Sequence, residues 1–236
     1  MDNLQHHLNF ESPTQSSLDG YGLGPGGWHF HPSNAARITA EDSYFGSHSL
    51  QFLQPAGNIS KYNNVGQRLI PQGSSWTFSF FFKNIRDDNT FRTLVQVSDQ
   101  NDPDAAAHHP IYLDDTGHIG SLSTTGTFNS GSQLAISGYN DNEWHHMLVR
   151  SAGSNIELFI DSINVAEYAN PVDDSVDNYL TVIGTRPRLS WRYDTVNQLV
   201  EYVDNFKFFD RSLSSAEILQ LYNEIQAAVR LRLVSN

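Results

Sequence analysis

Pairs of acidic residues are the first candidates for chemistry in this sequence, because two carboxylates can act on a glycosidic bond as acid and nucleophile. The closest spacings are Glu157 with Asp161 and Glu201 with Asp204, both in strand-like patterns. On an extended strand, residues four apart lie about 13 Å apart, and residues three apart point to opposite faces. A retaining glycosidase needs its carboxyls roughly 5 Å apart. Neither pair therefore predicts catalysis.

The ten histidines are the second candidates, because imidazole nitrogens bind zinc. They include three adjacent pairs, at positions 6–7, 108–109 and 145–146. Adjacent residues on a strand point to opposite faces, so a pair of this kind does not chelate one ion from within a strand. We expect no catalytic zinc.

Other catalytic patterns point the same way. The sequence has no cysteine, which excludes disulfides and thiolate metal sites. It has no Gly-x-Ser-x-Gly nucleophile motif and no P-loop. We therefore expect a protein that is not an enzyme.

The balance of charged residues limits the classes of partner that this protein is expected to bind. The 236 residues include 14 Lys and Arg against 26 Asp and Glu, a formal net charge of −12. Binding to nucleic acid needs clustered cationic side chains, so we expect no such partner. No apolar run approaches the ~20 residues of a membrane helix, so we expect no membrane insertion. The segment Met1 to His7 lacks the basic and apolar pattern of a signal peptide.

The elements that must position any site are predominantly strands. The clearest is a hairpin from Asn142 to Val165, in which residues 144–149 form an apolar run and residues 156–161 alternate as in a half-buried strand. A polar segment at residues 151–155 supplies the turn. Residues 8–11 predict a short first strand, and residues 76–82 predict a strand with one aromatic face.

One helix is predicted near the C-terminus. Ser214 and Glu217 have the spacing of a capping box, and apolar residues at 218, 222, 225 and 229 then fall on one face. Residues 230–234 can prolong this helix or fray. Many short strands with a single helix predict an all-β fold, a sandwich or a barrel.

Three stretches carry a resemblance to laminin-G-like, concanavalin A-like jelly-roll domains: residues 76–83, the hairpin of residues 142–161, and residues 204–218. They occur in the order and spacing of that family. The resemblance implies a two-sheet antiparallel β-sandwich with one C-terminal helix. It also implies a single domain over residues 1–236, with a core at about 8–223 and a helix extension or tail at 224–236, in an extracellular or cell-surface protein.

The hairpin of the family gives two further expectations. One of His145 and His146 faces the core and forms a hydrogen bond there, and either can be the one. The family hairpin usually turns on Asp-Gly, whereas this sequence has Asp161 followed by Ser162. We therefore expect a wider turn after Asp161.

A structural calcium ion is also implied by the resemblance. In similar jelly rolls it joins the first strand to the last through an early acidic side chain, backbone carbonyls and a late aspartate. The matching positions here are Glu11, the stretch around His48, and Asp204. Carboxylates and carbonyls are the oxygen ligands that calcium prefers. The alternative is that Glu11 and Asp204 are ordinary edge residues.

Sugar recognition needs flat aromatic faces together with groups that bind hydroxyls. One candidate segment carries Trp191 and Tyr193 with Arg188 and Arg192, and Arg186 also lies in it; a second set is Trp28 with Tyr62. The arginines make acidic or sulfated glycans a candidate ligand class. The alternatives are that each Trp has a packing role and that the arginines are solvated.

The sequence thus predicts a non-catalytic carbohydrate-binding or adhesion module stabilised by calcium. A structural or protein-interaction module of a surface or virion assembly is the second interpretation. A polysaccharide hydrolase or lyase is the third, although the strand motifs of the glucanases and alginate lyases that share the fold are absent.

Overall fold

Short antiparallel strands make up most of the part of the chain that the computed structural model describes. That part comprises residues 4–11, 28–30, 36–52, 59–62, 75–85, 92–99, 108–113, 119–122, 141–152, 155–169, 179–183 and 200–235. Its elements are β1 (Leu4–Leu8), β2 (Trp28–Phe30), β3 (Ala36–Thr39), β4 (Ser49–Phe52), β5 (Ile59–Tyr62), β6 (Thr77–Ile85), β7 (Arg92–Asp99), β8 (His108–Leu113), β9 (Ile119–Leu122), β10 (Trp144–Ala152), β11 (Asn155–Ile160), β12 (Ile163–Ala169), β13 (Tyr179–Ile183), β14 (Val200–Phe209) and α1 (Ser215–Ser235).

The strands form two antiparallel sheets. The larger has the order β12–β11–β10–β6–β14–β4–β3, and β1 also pairs with β14. The smaller has the order β2–β5–β13–β7–β8–β9. The fold is a two-sheet antiparallel β-sandwich with a C-terminal helix, as the sequence predicts. The predicted hairpin is present, since β10 pairs with β11 from Met147↔Ile160 to Ala152↔Asn155.

The centre of the larger sheet is buried on both faces around β6. Residues 76, 78, 80 and 82 are aromatic and buried on one face, where the ring of Phe78 lies 4.9 Å from that of Phe208. Phe81 belongs to the other face and is also buried. There it packs in a cluster that includes Leu148, Phe159 and Phe209 of the sheet and Leu213, Ile218 and Leu221 near and in α1.

The start of α1 is the predicted capping box. The amide of Glu217 donates to Ser214 Oγ (3.3 Å), and the amide of Ser214 donates to the Glu217 carboxylate (2.8 Å). Arg211 donates two further hydrogen bonds to this carboxylate and, with the Ser214 amide, lowers the pKa of Glu217 to about 2. The helix continues through the segment 230–234 and ends at Ser235.

The first strand differs from the prediction. It spans Leu4–Leu8, so the expectation of a strand at residues 8–11 was wrong in position. Phe10 has a positive φ of 55° and is buried, and a residue in this left-handed conformation cannot continue a strand. The chain therefore leaves β14 before Glu11, which turns toward a neighbouring loop.

The turn between β11 and β12 also differs, because the expected wider turn was wrong. Ile160 pairs directly with Ile163, so the turn contains only Asp161 and Ser162, with φ of 50° and 70°. Two positive φ values define a type I′ hairpin turn. The Asp161 carboxylate is held there by two hydrogen bonds. Its Oδ1 accepts the backbone N–H of His146 (2.9 Å), and its Oδ2 is hydrogen-bonded to the ring Nδ1 of His145 (2.9 Å).

Replacing Ser162 by glycine should stabilise the protein by about 0.5–1 kcal/mol. Glycine removes the strain of a side chain at positive φ, which exceeds the entropy that glycine adds to the unfolded chain. Urea unfolding of Ser162→Gly measures the gain, and Ser162→Ala, which keeps a Cβ at this φ, should show none. A lower stability of Ser162→Gly than of the parent protein contradicts the turn geometry.

Candidate functional site

The loop of residues 40–48, between β3 and β4, is held by carboxylates from two distant parts of the chain. The first is Glu11, which follows β1. Its two oxygens accept the backbone N–H of Ser47 (2.9 and 3.1 Å), and one of them also accepts the Ser47 hydroxyl (3.0 Å). The early acidic residue therefore closes the loop onto the first strand.

Gly46 makes this contact possible. Its φ is +71°, and a Cβ placed on it would lie 1.8 Å from Glu11 Oε1 and 2.2 Å from Glu11 Cδ. Glycine is required here both for the backbone conformation and for the space that the carboxylate occupies.

Asp204 is the second carboxylate and is fully buried in β14. Its Oδ2 accepts the amides of Tyr44 (3.0 Å) and Phe45 (2.8 Å). Its Oδ1 is buried without a hydrogen-bond partner among the described residues. The strand register shifts immediately after Asp204, and Asn205 has a positive φ of 51°. A bulge of this kind redirects a side chain, and here it accompanies the contact between Asp204 and the loop.

The electrostatics of Asp204 favour a positive partner. Burial is the main reason why the pKa of Asp204 is raised to about 7, and the negative charge of Glu11 also raises it. Hydrogen bonds from the amides of Phe45, Asn205 and Tyr44 lower the pKa but do not offset the burial. A buried carboxylate with one unpaired oxygen and a second carboxylate in its field is destabilised when ionised. A cation at this position would remove that penalty.

His48 reaches this site indirectly. Its Nδ1 lies 2.7 Å from Ser47 Oγ, and that hydroxyl donates to Glu11. Across the described segments, no three His, Cys, Asp or Glu side chains gather as a metal-binding group. A cation held by Glu11 and Asp204 must therefore take its remaining ligands from backbone carbonyls and water. Calcium, with its six to eight oxygen ligands, suits such a set better than zinc.

Two residues that sequence reasoning missed, Asp42 and Tyr44, complete the attachment of the loop. Asp42 accepts hydrogen bonds from Lys83 Nζ (2.6 Å) and Trp144 Nε1 (2.9 Å). Tyr44 stacks on Phe81 with ring centroids 4.0 Å apart, and its hydroxyl accepts a hydrogen bond from Gln226 of α1 (2.6 Å). No local sequence pattern signals either residue, because both act through contacts with distant parts of the chain.

Three of the four acidic residues considered for catalysis, Glu157, Asp161 and Asp204, have structural partners. Glu157 forms an ion pair with Arg150 across the β10–β11 ladder and accepts a hydrogen bond from Asn164 (3.3 Å). Asp161 lies in the hairpin turn, and Asp204 lies under the loop of residues 40–48. These contacts hold the scaffold together.

The adjacent histidines of β10 occupy opposite faces, as predicted. His146 is 1% exposed and hydrogen-bonds through Nε2 with Ser79 Oγ (2.8 Å), so it is the buried member of the pair. Burial lowers its pKa to about 3. His145 lies between Asp161 (2.9 Å) and Asp141 (3.2 Å), and the hydrogen bond to Asp161 contributes most to raising its pKa.

The predicted ligand-binding residues fall into two groups. Trp191, Tyr193, Arg188 and Arg192 lie in the segment of residues 184–199, outside the described residues.

Trp28 and Tyr62 belong to β2 and β5, which are neighbours, and Trp28 pairs with Lys61, one position from Tyr62. Strand β13 pairs with the other side of β5, with Leu180 opposite Tyr62 and Ile183 opposite Ile59. Strand β13 therefore ends at Ile183 beside Ile59, at the opposite end of β5 from Tyr62. The segment 184–199 follows Ile183 in the sequence.

The sandwich with its connecting loops is the architecture of lectin-like binding domains and of some carbohydrate-active enzymes. A family profile described as the concanavalin A-like lectin/glucanases superfamily, of laminin G type, matches residues 56–219. The chain belongs to this superfamily. Comparison with curated protein sequences gives no significant match.

Solved structures with the same fold include two toxin domains and one enzyme. The binding domain of Paraclostridial Mosquitocidal Protein 1 is similar with a TM-score of 0.61 and 17% identity, over 94% of this chain and 52% of that one. The ligand-binding domain of botulinum neurotoxin serotype D, in complex with N-acetylneuraminic acid, gives 0.57 and 12%, over 94% and 51%. Trypanosoma rangeli sialidase gives 0.55 and 13%, over 83% and 32%.

The chain therefore spans about half the length of the toxin domains that it matches. Among the described residues, no helix is long and apolar enough to cross a membrane.

Proposed function

We propose that this chain is a non-catalytic carbohydrate-binding module that recognises acidic glycans. The observation that carries the proposal is the match of residues 56–219 to a superfamily that includes lectins. The candidate sugar-binding residues remain those that the sequence offers, Trp191 and Tyr193 with their neighbouring arginines, and Trp28 with Tyr62. Trp28 and Tyr62 lie on the adjacent strands β2 and β5, although Trp28 is paired with Lys61 and not with Tyr62.

The charge of the segment 184–199 favours an acidic ligand. Three of the 14 cationic residues of this acidic chain, Arg186, Arg188 and Arg192, occur within seven positions there. Arginine forms paired hydrogen bonds with carboxylates and sulfates. The similar botulinum neurotoxin domain is in complex with N-acetylneuraminic acid, a sugar that carries a carboxylate. A cell-surface or extracellular location is the setting that such a ligand implies.

Replacing Trp191 by alanine should weaken retention on a sialylated or sulfated glycan gel by tenfold or more, on the order of the loss of one aromatic stacking contact. Arg188→Ala should weaken it selectively for the acidic gel and leave retention on a neutral gel unchanged. Arg37→Ala, in β3 of the larger sheet, is the matched arginine control and should bind like the parent. Retention of Trp191→Ala equal to that of the parent excludes this site.

We also propose that a calcium ion stabilises the fold, with Glu11 and Asp204 as its carboxylate ligands and carbonyls near His48 among the others. The unpaired Asp204 Oδ1, the raised pKa of Asp204 and the nearby charge of Glu11 support this proposal. The ion would supply charge neutralisation where the first and last strands meet the loop of residues 40–48.

Calcium at 100 times its Kd should stabilise the protein by about 2.7 kcal/mol, because it binds the folded state alone. Calorimetry with added calcium and then EDTA measures the shift in Tm. The Asp204→Asn variant should lose the shift, whereas Glu157→Gln, a matched acid-to-amide change on the same sheet, should keep it. A parent Tm that is indifferent to EDTA after full removal of metal contradicts the calcium proposal and leaves the glycan proposal intact.

An enzyme is the second candidate function, and the structural similarity to a sialidase favours it. The described carboxylates at residues 157, 161 and 204 are committed to scaffold contacts, which favours binding over hydrolysis. Incubation of the protein with sialylated and polysaccharide substrates separates the two functions. Release of free sugar in proportion to protein concentration assigns the chain to the enzymes.

A further inference from the structure

His146 is a titratable ring at the interface between α1 and the larger sheet. It stacks on Phe81 (ring centroids 4.7 Å apart) and contacts Tyr222 of α1 (5.9 Å). The surrounding interface is built by an apolar cluster that includes Phe81, Ile218 and Leu221. An imidazole in this position is tolerated while it is neutral.

The hydrogen bonds of His146 suit the neutral ring. Nε2 is paired with Ser79 Oγ, and Nδ1 is buried without a partner among the described residues. A protonated ring has N–H groups on both nitrogens, so one donor and a net charge would be left without an acceptor. The ring is 1% exposed, and solvent therefore cannot compensate.

The charged groups around the ring do not reverse this balance. Lys207 of β14 disfavours the imidazolium, and Asp161 of the β11–β12 turn favours it. Tyr222 is the titratable group that contacts the ring from α1, and Tyr44, of the loop at residues 40–48, stacks on the same Phe81. Burial outweighs the single favourable charge.

We propose that protonation of His146 detaches α1 from the larger sheet, so that acid controls the docking of this helix. The helix contributes no strand pairing, and its release breaks no hydrogen bond of a β-ladder. Release uncovers the apolar face that carries Phe81, Leu148 and Phe159. The sandwich can therefore keep its strands while it gains an exposed hydrophobic surface.

The expected size of the effect follows from proton linkage. With a pKa of about 3 for the docked ring and an ordinary value of 6.5 for the exposed ring, lowering the pH from about 7 to about 5 should favour the released helix roughly 25-fold. The sign follows from the depressed pKa of the docked state: docking is strongest above pH 6.5 and weakens as the pH falls toward 3.

Hydrogen exchange, corrected for the pH dependence of the intrinsic rate, tests the proposal on the full chain. The protection of amides in α1 should fall about 25-fold when the pH is lowered from about 7 to about 5, while the protection of amides in β10 and β11 stays constant. His146→Gln, which retains a hydrogen-bonding group for Ser79, should abolish the pH dependence. His145→Gln, the matched change on the opposite face, should retain it.

The same α1 response in His146→Gln, or equal loss of protection in α1 and the strands, overturns the proposal. The NMR signal of the His146 ring in the parent protein gives a second measurement that does not depend on a variant. A ring that becomes protonated while α1 stays protected also overturns it. None of these outcomes depends on glycan binding, so they leave the proposed function untouched.

Discussion

Replacing Phe81 by alanine is expected to lower the free energy of unfolding by about 3–5 kcal/mol, the range for removal of a large buried aromatic side chain. Phe81 is 1% exposed on the face of the larger sheet that α1 covers. Its ring lies between those of Tyr44 and His146, at 4.0 and 4.7 Å. The substitution therefore loosens the sheet, the loop of residues 40–48 and the helix at once.

Chemical denaturation of the parent protein and of Phe81→Ala measures the loss in the free energy of unfolding. Leu219→Ala removes an apolar side chain from a position of α1 that is 50% exposed and is the control, with an expected effect within about 0.5 kcal/mol. A loss below about 1 kcal/mol for Phe81→Ala shows that the ring is not a central packing element. If Phe81→Ala loses glycan binding without losing stability, Phe81 belongs to the ligand site instead.

Replacing Gly46 by alanine is expected to cost about 2–4 kcal/mol. Part of the cost, about 1–2 kcal/mol, is the strain of a Cβ at a φ of +71°. The rest comes from displacing the Glu11 carboxylate, which lies 1.8 Å from the position of the new methyl group. Its displacement breaks the hydrogen bonds to Ser47 that close the loop.

A double-mutant cycle separates the two contributions. In a Glu11→Ala background the clash is gone, so Gly46→Ala should cost only the strain of about 1–2 kcal/mol. Equal costs in the two backgrounds exclude the close approach of Glu11 to Gly46. Thermal or urea unfolding of the four proteins supplies the numbers.

Features that depend on neighbours in sequence could be predicted from the residues. The β10–β11 hairpin follows from alternation along residues 156–161, and the start of α1 follows from the spacing of Ser214 and Glu217. The placement of His145 and His146 on opposite faces follows from strand geometry alone.

Features that depend on unusual backbone conformations could not be predicted from the sequence. Phe10 and Ser162 both have positive φ, and neither residue type signals it. The strand shifted to residues 4–8 and the tight turn after Asp161 are the consequences. In each case tertiary contacts, burial of Phe10 and hydrogen bonds of Asp161, outweigh the local preference.

The candidate metal centre could be predicted only in part. Family resemblance selected Glu11 and Asp204, and both carboxylates hold the same loop. The loss of solvent around Asp204 and its unpaired Oδ1 arise from the packing of Tyr44 and Phe45, 160 and 159 positions away in sequence. Contacts at that separation leave no local pattern to read.

We propose that this chain binds an acidic glycan without altering it. Isothermal titration with a sialylated oligosaccharide, followed by mass analysis of the glycan recovered from the cell, tests both halves of the claim in one sample. We expect saturable binding, abolished or weakened at least tenfold in Trp191→Ala, and full recovery of the intact oligosaccharide. Absence of saturable binding to sialylated and sulfated glycans, or recovery of a shortened product, contradicts it.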